Sequence, residues 1–240
     1  MINYSTCSWR AETPPPAVYR GPCKFPGTVL TPRLFLTRNR ISRLLVRHPD
    51  VMSRLRQEVK EVIDVATKPS REQIRNMPFL ACVVKESLRL YPPVPLNNRE
   101  AVRTTILPTG GGADGTSPIL VRKGELVVFS QYVNSRVRNL FGPDADDFRP
   151  QRWESGELKD VGWGYFPFNG GPRRCLGEDF ALMEVSYTVV RLLQTFVSIR
   201  LPEGERIEPV GTERQKLTLV LSSADGCRVT VSKYGLAGAK

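Results

Sequence analysis

The chain has 240 residues, of which 40% are hydrophobic and 25% are charged, a composition typical of a globular protein that excludes disorder throughout. Its formal net charge of +11 suits an anionic partner and says nothing about the fold. A single histidine, His48, excludes multi-histidine metal sites. The five cysteines include no CxxC pair, which excludes a zinc ribbon and a dithiol redox motif.

The first 40 residues form a proline-rich segment that we expect to be irregular. Prolines recur at Pro14–Pro16, Pro22, Pro26 and Pro32, where they interrupt any helix. No stretch of the chain approaches the roughly 18 apolar residues that a membrane span needs. We therefore divide the chain into an irregular segment, 1–40, and a folded region, 41–240.

Helical periodicity begins at Ile41. Proline is tolerated at the first position of a helix, and Ser70 with Gln73 has the spacing of a capping box. The predicted helices cover Ile41–His48, Pro49–Ile63, Ser70–Met77 and Pro78–Tyr91.

The second half of the chain predicts short strands and one long helix. Strands are expected at Arg99–Ile106 and Leu126–Val133, with a flexible loop at Gly110–Gly115. Leu176–Phe196 is expected to be a buried helix. Leu217–Leu221 and Cys227–Val231 alternate like the two strands of a hairpin. The predicted fold class is α+β, mainly helical, with small β-sheets.

The segment Phe168–Gly177 combines residue types that suit a metal-bound thiolate. Gly171 allows a tight turn against a flat object, and Phe168 offers a flat apolar face. Cys175 falls at the start of the long helix, where free N–H groups stabilise a thiolate, and Arg173 suits a carboxylate. A haem iron with a sulfur ligand requires such a set. The alternative, a structural cysteine after a glycine-rich turn, does not explain the whole set.

A second group of residues predicts a buried support for this loop. Glu86 and Arg89 lie at positions i and i+3 of one helix and therefore face one side. Arg152 lies in a constrained loop, Phe148–Trp153. A buried carboxylate bridging two arginines would join that loop to the helix, with a structural role and no catalytic one.

Together these motifs resemble a known family. In order, Glu86-x-x-Arg89, Phe148-x-Pro-x-Arg152-Trp153 and Phe168-x-x-Gly171-x-Arg173-x-Cys175-x-Gly177 resemble the C-terminal half of a cytochrome P-450. The segment Pro167–Arg173 and the helix Ala181–Phe196 are most similar to the fungal family that hydroxylates the chain ends of alkanes and fatty acids. The resemblance runs from about Ile41 to Val231, so the fold it implies is a truncated cytochrome P-450.

The resemblance implies a cofactor and its ligands. Haem b would be bound with Cys175 as the axial ligand of the iron and Arg173 on one propionate. Arg99 matches a position that often holds the other propionate. The remaining residues implied to contact the cofactor are Phe168, Gly171 and Gly177. The segments Val94–Asn98 and Thr212–Gln215 are implied to border the substrate.

The resemblance also implies a reaction and its partners. Oxygen would be inserted into a C–H bond of an apolar small molecule, with electrons passed from NADPH by a flavoprotein reductase. The family resides on the endoplasmic reticulum membrane. This chain has no predicted anchor, which leaves a cytoplasmic location open.

Two alternatives accompany this interpretation. Family members carry a long helix with an acid–threonine pair before the segment that resembles Leu44–Leu55, and Pro22–Arg40 stands in its place here. Thr28 and Thr31 lack the acidic neighbour, so we expect little turnover, and the chain could instead be a non-catalytic truncated remnant or a gene-model fragment. A basic nucleic-acid-binding module is the third reading. The arginines from Arg33 to Arg75 are not interleaved with aromatics, so we expect no nucleic-acid partner.

Overall fold

The frame of the molecule consists of helices in the first half and one long helix near the end. The computed structural model describes residues 18–19, 32–218 and 220–233. The helices are α1 Pro32–Arg47, α2 Pro49–Val62, α3 Arg71–Arg75, α4 Pro78–Leu90, α5 Gln131–Asn134, α6 Arg138–Phe141 and α7 Glu178–Thr195. Pro49 and Pro78 stand at helix starts, as predicted, because the missing proline N–H has no partner there in any case.

The prediction that residues 1–40 are irregular is wrong from Pro32 onward. Helix α1 begins at that proline and not at Ile41, because residues 33–40 contain neither proline nor glycine to interrupt it. The prolines from Pro14 to Pro26, together with Thr28 and Thr31, lie outside the described residues.

The core lies between α1, α2, α4 and α7. Helix α7 contacts α1, α2, α3 and α4. Leu55, Val83 and Val190 are fully buried where these helices meet. Truncation of such a side chain to alanine costs about 2–5 kcal/mol, so this cluster is a main source of stability. In the described part of the chain, no helix combines the length and the apolar character that crossing a membrane requires.

All sheets are small and antiparallel. The strands are β1 Val18–Tyr19, β2 Leu96–Glu100, β3 Thr105–Gly111, β4 Ser117–Val121, β5 Leu126–Ser130, β6 Phe196–Arg200, β7 Gln215–Leu217, β8 Leu221–Ser223 and β9 Val229–Lys233. Strand β9 lies between β1 and β6, and the other pairs are β2 with β5, β3 with β4 and β7 with β8. Helices and sheets together give the expected mixed α+β class.

Two predicted strands have different bounds in the structure. The strand expected at Arg99–Ile106 is divided between β2 and β3, which belong to different sheets. The strand expected at Leu126–Val133 ends at Ser130, because the Ser130 hydroxyl accepts a hydrogen bond from the Val133 N–H and starts α5. The expected glycine loop is shorter, since β3 continues to Gly111.

The predicted C-terminal hairpin is wrong. Strand β7 pairs with β8, with Leu217 opposite Leu221. Strand β9 instead pairs with β6, with Val231 opposite Ile199. Helix α7 leads directly into β6, which supplies a long-range partner that alternation within the last segment does not reveal.

Candidate cofactor site

The cysteine loop, Phe168–Gly177, is a tight turn that ends just before α7. The Cys175 N–H donates to the Phe168 carbonyl oxygen at 2.8 Å, which closes the turn. Gly171 has a φ of +63°, a conformation in which a side chain would be strained. Cys175 itself is exposed, with its thiol at the surface of the described structure.

Helix α7 places this thiol at its positive end. The helix begins at Glu178, and the Gly177 carbonyl oxygen accepts from the Ala181 N–H at 2.9 Å. A Cβ at position 177 would lie 4.0 Å from the Cys175 sulfur, so glycine leaves the space beside the sulfur open. Free N–H groups at a helix start favour a negative charge there.

The start of α7 is exposed, although the sequence predicted a buried helix. Leu176 is 104% exposed and Phe180 is 67% exposed. Further along the same helix, Val189 and Leu193 are buried in the core. The helix is thus buried at its end and presents apolar side chains to the surface around Cys175.

A cavity of about 350 Å³ adjoins the cysteine loop. It is lined by Arg99, Phe129, Trp163, Phe166, Asn169 and Gly170. The Arg99 guanidinium lies 5.4 Å from the centre of the Phe129 ring. A Cβ at Gly170 would lie 2.5 Å from the Trp163 ring, so glycine permits this close approach.

The sequence-predicted site residues are distributed around this cavity. Arg99 lines it, whereas Cys175 and Arg173 do not. Arg173 is exposed in the same loop as Cys175. Phe168, expected to face the cofactor, is partly buried and packs against the helical core. Gly171 and Gly177 shape the backbone on either side of the thiol.

The two segments expected to border the substrate lie near each other. Val94–Asn98 runs into β2, and Thr212–Gln215 runs into β7. Strand β8, the partner of β7, is bonded to the residue just before the first segment, because the Leu221 N–H donates to the Pro93 carbonyl oxygen at 2.9 Å.

The support predicted for the loop is assembled around one carboxylate. Glu86 is fully buried and accepts from Arg89 at 2.8 and 2.9 Å and from Arg152 at 3.0 Å. The indole N–H of Trp153 adds a bond at 2.9 Å. These contacts join α4 to the segment Phe148–Trp153. Both arginines therefore share the charge of Glu86, so neither is buried without a counter-charge.

The support extends to the segment that leads into the cysteine loop. Arg89 also donates to the backbone oxygens of Ser135 and Ala145, at 2.7 and 2.6 Å. The Tyr165 hydroxyl donates to the Lys85 carbonyl oxygen at 3.2 Å. Burial, together with the nearby charge of Glu86, raises the pKa of Tyr165, so this phenol stays neutral.

Sequence reasoning missed the amide contacts that join Asn169, within the loop, to Asn97 and Gln131 outside it. The side-chain oxygen of Asn169 accepts from the amides of Asn97, at 3.1 Å, and Gln131, at 3.2 Å. Gln131 is 4% exposed and also donates to the Phe166 carbonyl oxygen at 3.0 Å. Amides at such long sequence separations form no motif, and no signal in the sequence would have found them.

The donor set fits a flat apolar cofactor with an anionic edge. An exposed thiol stands at a helix N-terminus, exposed apolar side chains surround it, and Arg173 and Arg99 are both at the surface. Among the described residues, no group of three or more His, Cys, Asp or Glu side chains could hold a metal ion. Haem iron needs only one protein ligand when a cysteine binds it, and the exposed Cys175 is the candidate in this loop.

Comparison with known proteins gives a consistent picture. The family model for Cytochrome P-450 matches residues 43–223. A cytochrome P-450 from Arthroderma benhamiae is 56% identical over 195 residues, which are 80% of this chain and 39% of the relative. Cytochrome P-450 52A6 of Candida tropicalis is 44% identical over 170 residues, 69% of this chain and 32% of the relative. The chain thus spans about a third to two fifths of the length of these relatives. By its sequence motifs and these matches, the chain belongs to the cytochrome P-450 family.

Proposed function

We propose that this chain provides the cofactor-binding part of a haem-thiolate monooxygenase, with the Cys175 sulfur as the axial ligand of the iron. The observation that carries the proposal is the exposed thiol, held in a tight turn at the start of α7. Haem b bound through such a thiolate supplies reductive cleavage of O2 and insertion of one oxygen atom into a C–H bond.

The roles of the neighbouring residues follow from charge and shape. Arg173 and Arg99 would pair with the two propionates, since both guanidinium groups are exposed near the loop. Gly171 and Gly177 keep the backbone and the space beside the sulfur free of side chains. Phe168 acts from behind the loop, where it joins the turn to the core. The role proposed for Glu86, Arg89 and Arg152 is structural, since their contacts join α4 to the segment Phe148–Trp153.

The proposed substrate is an apolar chain such as an alkane or a fatty acid. The similarity to the cytochromes P-450 52A of Candida supports this class. Leu96, 51% exposed at the start of β2, offers an apolar contact within the segment Val94–Asn98.

The proposed electron donor is an NADPH-dependent flavoprotein reductase. The net charge of +11 favours association with an acidic partner surface. Location at the endoplasmic reticulum membrane is proposed for the whole protein on family grounds alone.

The test is haem titration of the chain, with spectra of the reduced form under carbon monoxide. We expect wild-type protein and the control variant Cys82→Ala to give the band typical of thiolate-bound haem, because Cys82 is buried in α4 away from the loop. Cys175→Ser should lose that band. Identical spectra for Cys175→Ser and wild type would overturn the proposal.

Turnover by the 240-residue chain is a separate question. Leu176, Phe180 and Trp163 are largely exposed, so water has access to the site in the described structure. We expect added fatty acid and reductase to yield NADPH oxidation with little hydroxylated product. Stoichiometric product formation, measured by mass spectrometry, would contradict this expectation.

A further inference from the structure

A continuous chain of side-chain amides connects Arg99 with the cysteine loop. The Arg99 guanidinium donates to the Asn97 side-chain oxygen at 3.2 Å. The Asn97 amide nitrogen donates to the Asn169 side-chain oxygen at 3.1 Å, and Gln131 donates to the same oxygen at 3.2 Å. The chain of bonds ends on the Phe166 carbonyl oxygen, 3.0 Å from the Gln131 nitrogen.

The two ends of this network allow one orientation for every amide. A backbone carbonyl can only accept, so Gln131 must present its nitrogen to Phe166 and to Asn169. A guanidinium can only donate, so Asn97 must present its oxygen to Arg99. Asn169 between them then accepts twice. The buried side-chain oxygen of Gln131 has no hydrogen-bond partner in the described structure, but reversal of any one amide would place donor against donor or acceptor against acceptor.

Asn169 also has an unusual backbone conformation. Its φ is +60°, and no other non-glycine residue in the described part of the chain has a positive φ. Asparagine, aspartate and glycine adopt this conformation at low cost. The residue next to it, Phe168, accepts the hydrogen bond from the Cys175 N–H. Asn169 is therefore placed where a shift of its backbone would move the carbonyl that closes the loop.

We propose that Asn97, Asn169 and Gln131 are positioning residues that hold the cysteine loop and Arg99 in a fixed relative placement. The inference rests on the proposed function, because it gives these amides the role of fixing the distance between the thiol ligand and a propionate-binding arginine. Gln131 provides the rigid end, since it is buried at the start of α5, which Ser130 caps. Asn97 provides the other end on β2, paired with Phe129 of β5.

Substitutions at Asn169 separate the hydrogen bonds from the backbone conformation. Asn169→Asp keeps both the acceptor oxygen and the tolerance of positive φ. Asn169→Gly keeps only the latter. Gln131→Met removes the buried donor at similar side-chain length. Asn139→Ala is the matched control, because this asparagine is exposed in α6 and lies outside the network.

The first readout is hydrogen exchange of the Cys175 amide in the chain without haem. We expect exchange to be about tenfold faster in Asn169→Gly and Gln131→Met, since each loses bonds worth about 1 kcal/mol apiece. Asn169→Asp and Asn139→Ala should stay within about twofold of wild type. Wild-type exchange in Asn169→Gly would overturn the proposal, because the backbone conformation alone would then explain the asparagine. An increase in Asn169→Asp equal to that in Asn169→Gly would also overturn it.

The second readout is the dissociation constant for haem in the same variants. We expect binding to weaken by about fivefold to tenfold in Asn169→Gly and in Asn97→Ala, with Asn139→Ala unchanged. Unchanged haem binding in Asn97→Ala and Asn169→Gly would overturn the link to Arg99. If no variant, including wild type, binds haem while the exchange rates change as expected, the proposed function fails and the positioning of the loop stands.

Discussion

Glu86 is the residue on which the support of the cysteine loop depends most. Its carboxylate is fully buried and receives hydrogen bonds from two arginines, an indole and the Arg149 N–H. A buried ion pair adds little stability relative to well-packed apolar groups, but removal of one partner leaves a buried charge without compensation. The stability lost on changing Glu86 therefore measures the cost of leaving Arg89 and Arg152 buried without a counter-charge.

We expect Glu86→Gln to lower the free energy of unfolding by about 3–5 kcal/mol, because the neutral amide cannot compensate both Arg89 and Arg152. Urea denaturation is the measurement. The matched control is Glu154→Gln, whose ion pair with Arg54 is partly exposed, with side chains 32% and 49% accessible. That change should cost less than about 1 kcal/mol. Equal losses in the two variants would contradict the account.

Glu213 predicts a pH dependence of stability. It is buried and binds Arg40 at 2.7 Å. Burial by itself raises the pKa of Glu213, but the hydrogen bond from the Tyr91 hydroxyl and the charge of Arg40 outweigh it and lower the pKa below the usual 4.5. The ionised carboxylate thus stabilises the fold above about pH 4.5, and this contribution is lost as the pH falls further.

Glu213→Gln tests that dependence. At pH 7 we expect the variant to be less stable than wild type by about 1–3 kcal/mol. The difference should shrink as the pH is lowered below 4.5, because wild-type Glu213 then becomes increasingly protonated. Denaturation curves across this range provide the measurement. A difference that stays constant with pH would show that the charge of Glu213 has no such role.

At the residue scale, local spacing predicted some contacts and not others. Glu86 and Arg89 are three residues apart on a helix, so their pairing follows from helix geometry. Prediction of the contact between Glu86 and Arg152 also required the motif Phe148–Trp153. Gln131 and Asn169 are 38 positions apart and meet only because α5 and the cysteine loop pack together. No local pattern encodes such a contact.

At the scale of elements, the best predictions concern helix starts. The capping box at Ser70 is present: the Ser70 hydroxyl accepts from the Gln73 N–H at 3.1 Å, and the Gln73 side chain accepts from the Ser70 N–H at 2.9 Å. Caps and prolines act within one helical turn, so the local sequence is enough to predict the helix start. The predicted partner of strand β9 is wrong because its actual partner, β6, lies some 30 residues earlier in the chain.

The cap makes a direct prediction about α3. Ser70→Ala should lower stability by about 1 kcal/mol, since the Gln73 N–H loses its side-chain partner. It should also accelerate hydrogen exchange of the Gln73 amide. Ser53→Ala, at an exposed position inside α2, is the control and should change stability by less than about 0.5 kcal/mol. Normal protection of Gln73 in Ser70→Ala would contradict the role of the cap.

At the scale of the whole molecule, the exposed apolar side chains around Cys175 dominate behaviour in solution. Phe180 lies in the first turn of α7, Leu176 lies two residues before that helix, and Trp163, 71% exposed, lines the cavity. Exposed apolar surface of this kind promotes association. The same surface would be covered by a bound apolar cofactor, so association and cofactor binding should compete.

We expect the haem-free chain to self-associate as its concentration rises, as measured by light scattering. Phe180→Ser should reduce the association without loss of stability, because the side chain is 67% exposed. Ile207→Ser, at a residue 64% exposed outside this group, is the control and should have little effect. An equal reduction in both variants would mean that total apolar exposure matters and that the surface around Cys175 has no special part.

The bond between the Cys175 sulfur and the iron of haem is the central claim, and X-ray absorption at the iron edge tests it most directly. The chain loaded with haem should show one sulfur atom in the first coordination shell of the iron, and Cys175→Ser should show none while Cys82→Ala keeps it. A wild-type spectrum without a sulfur neighbour would contradict the account.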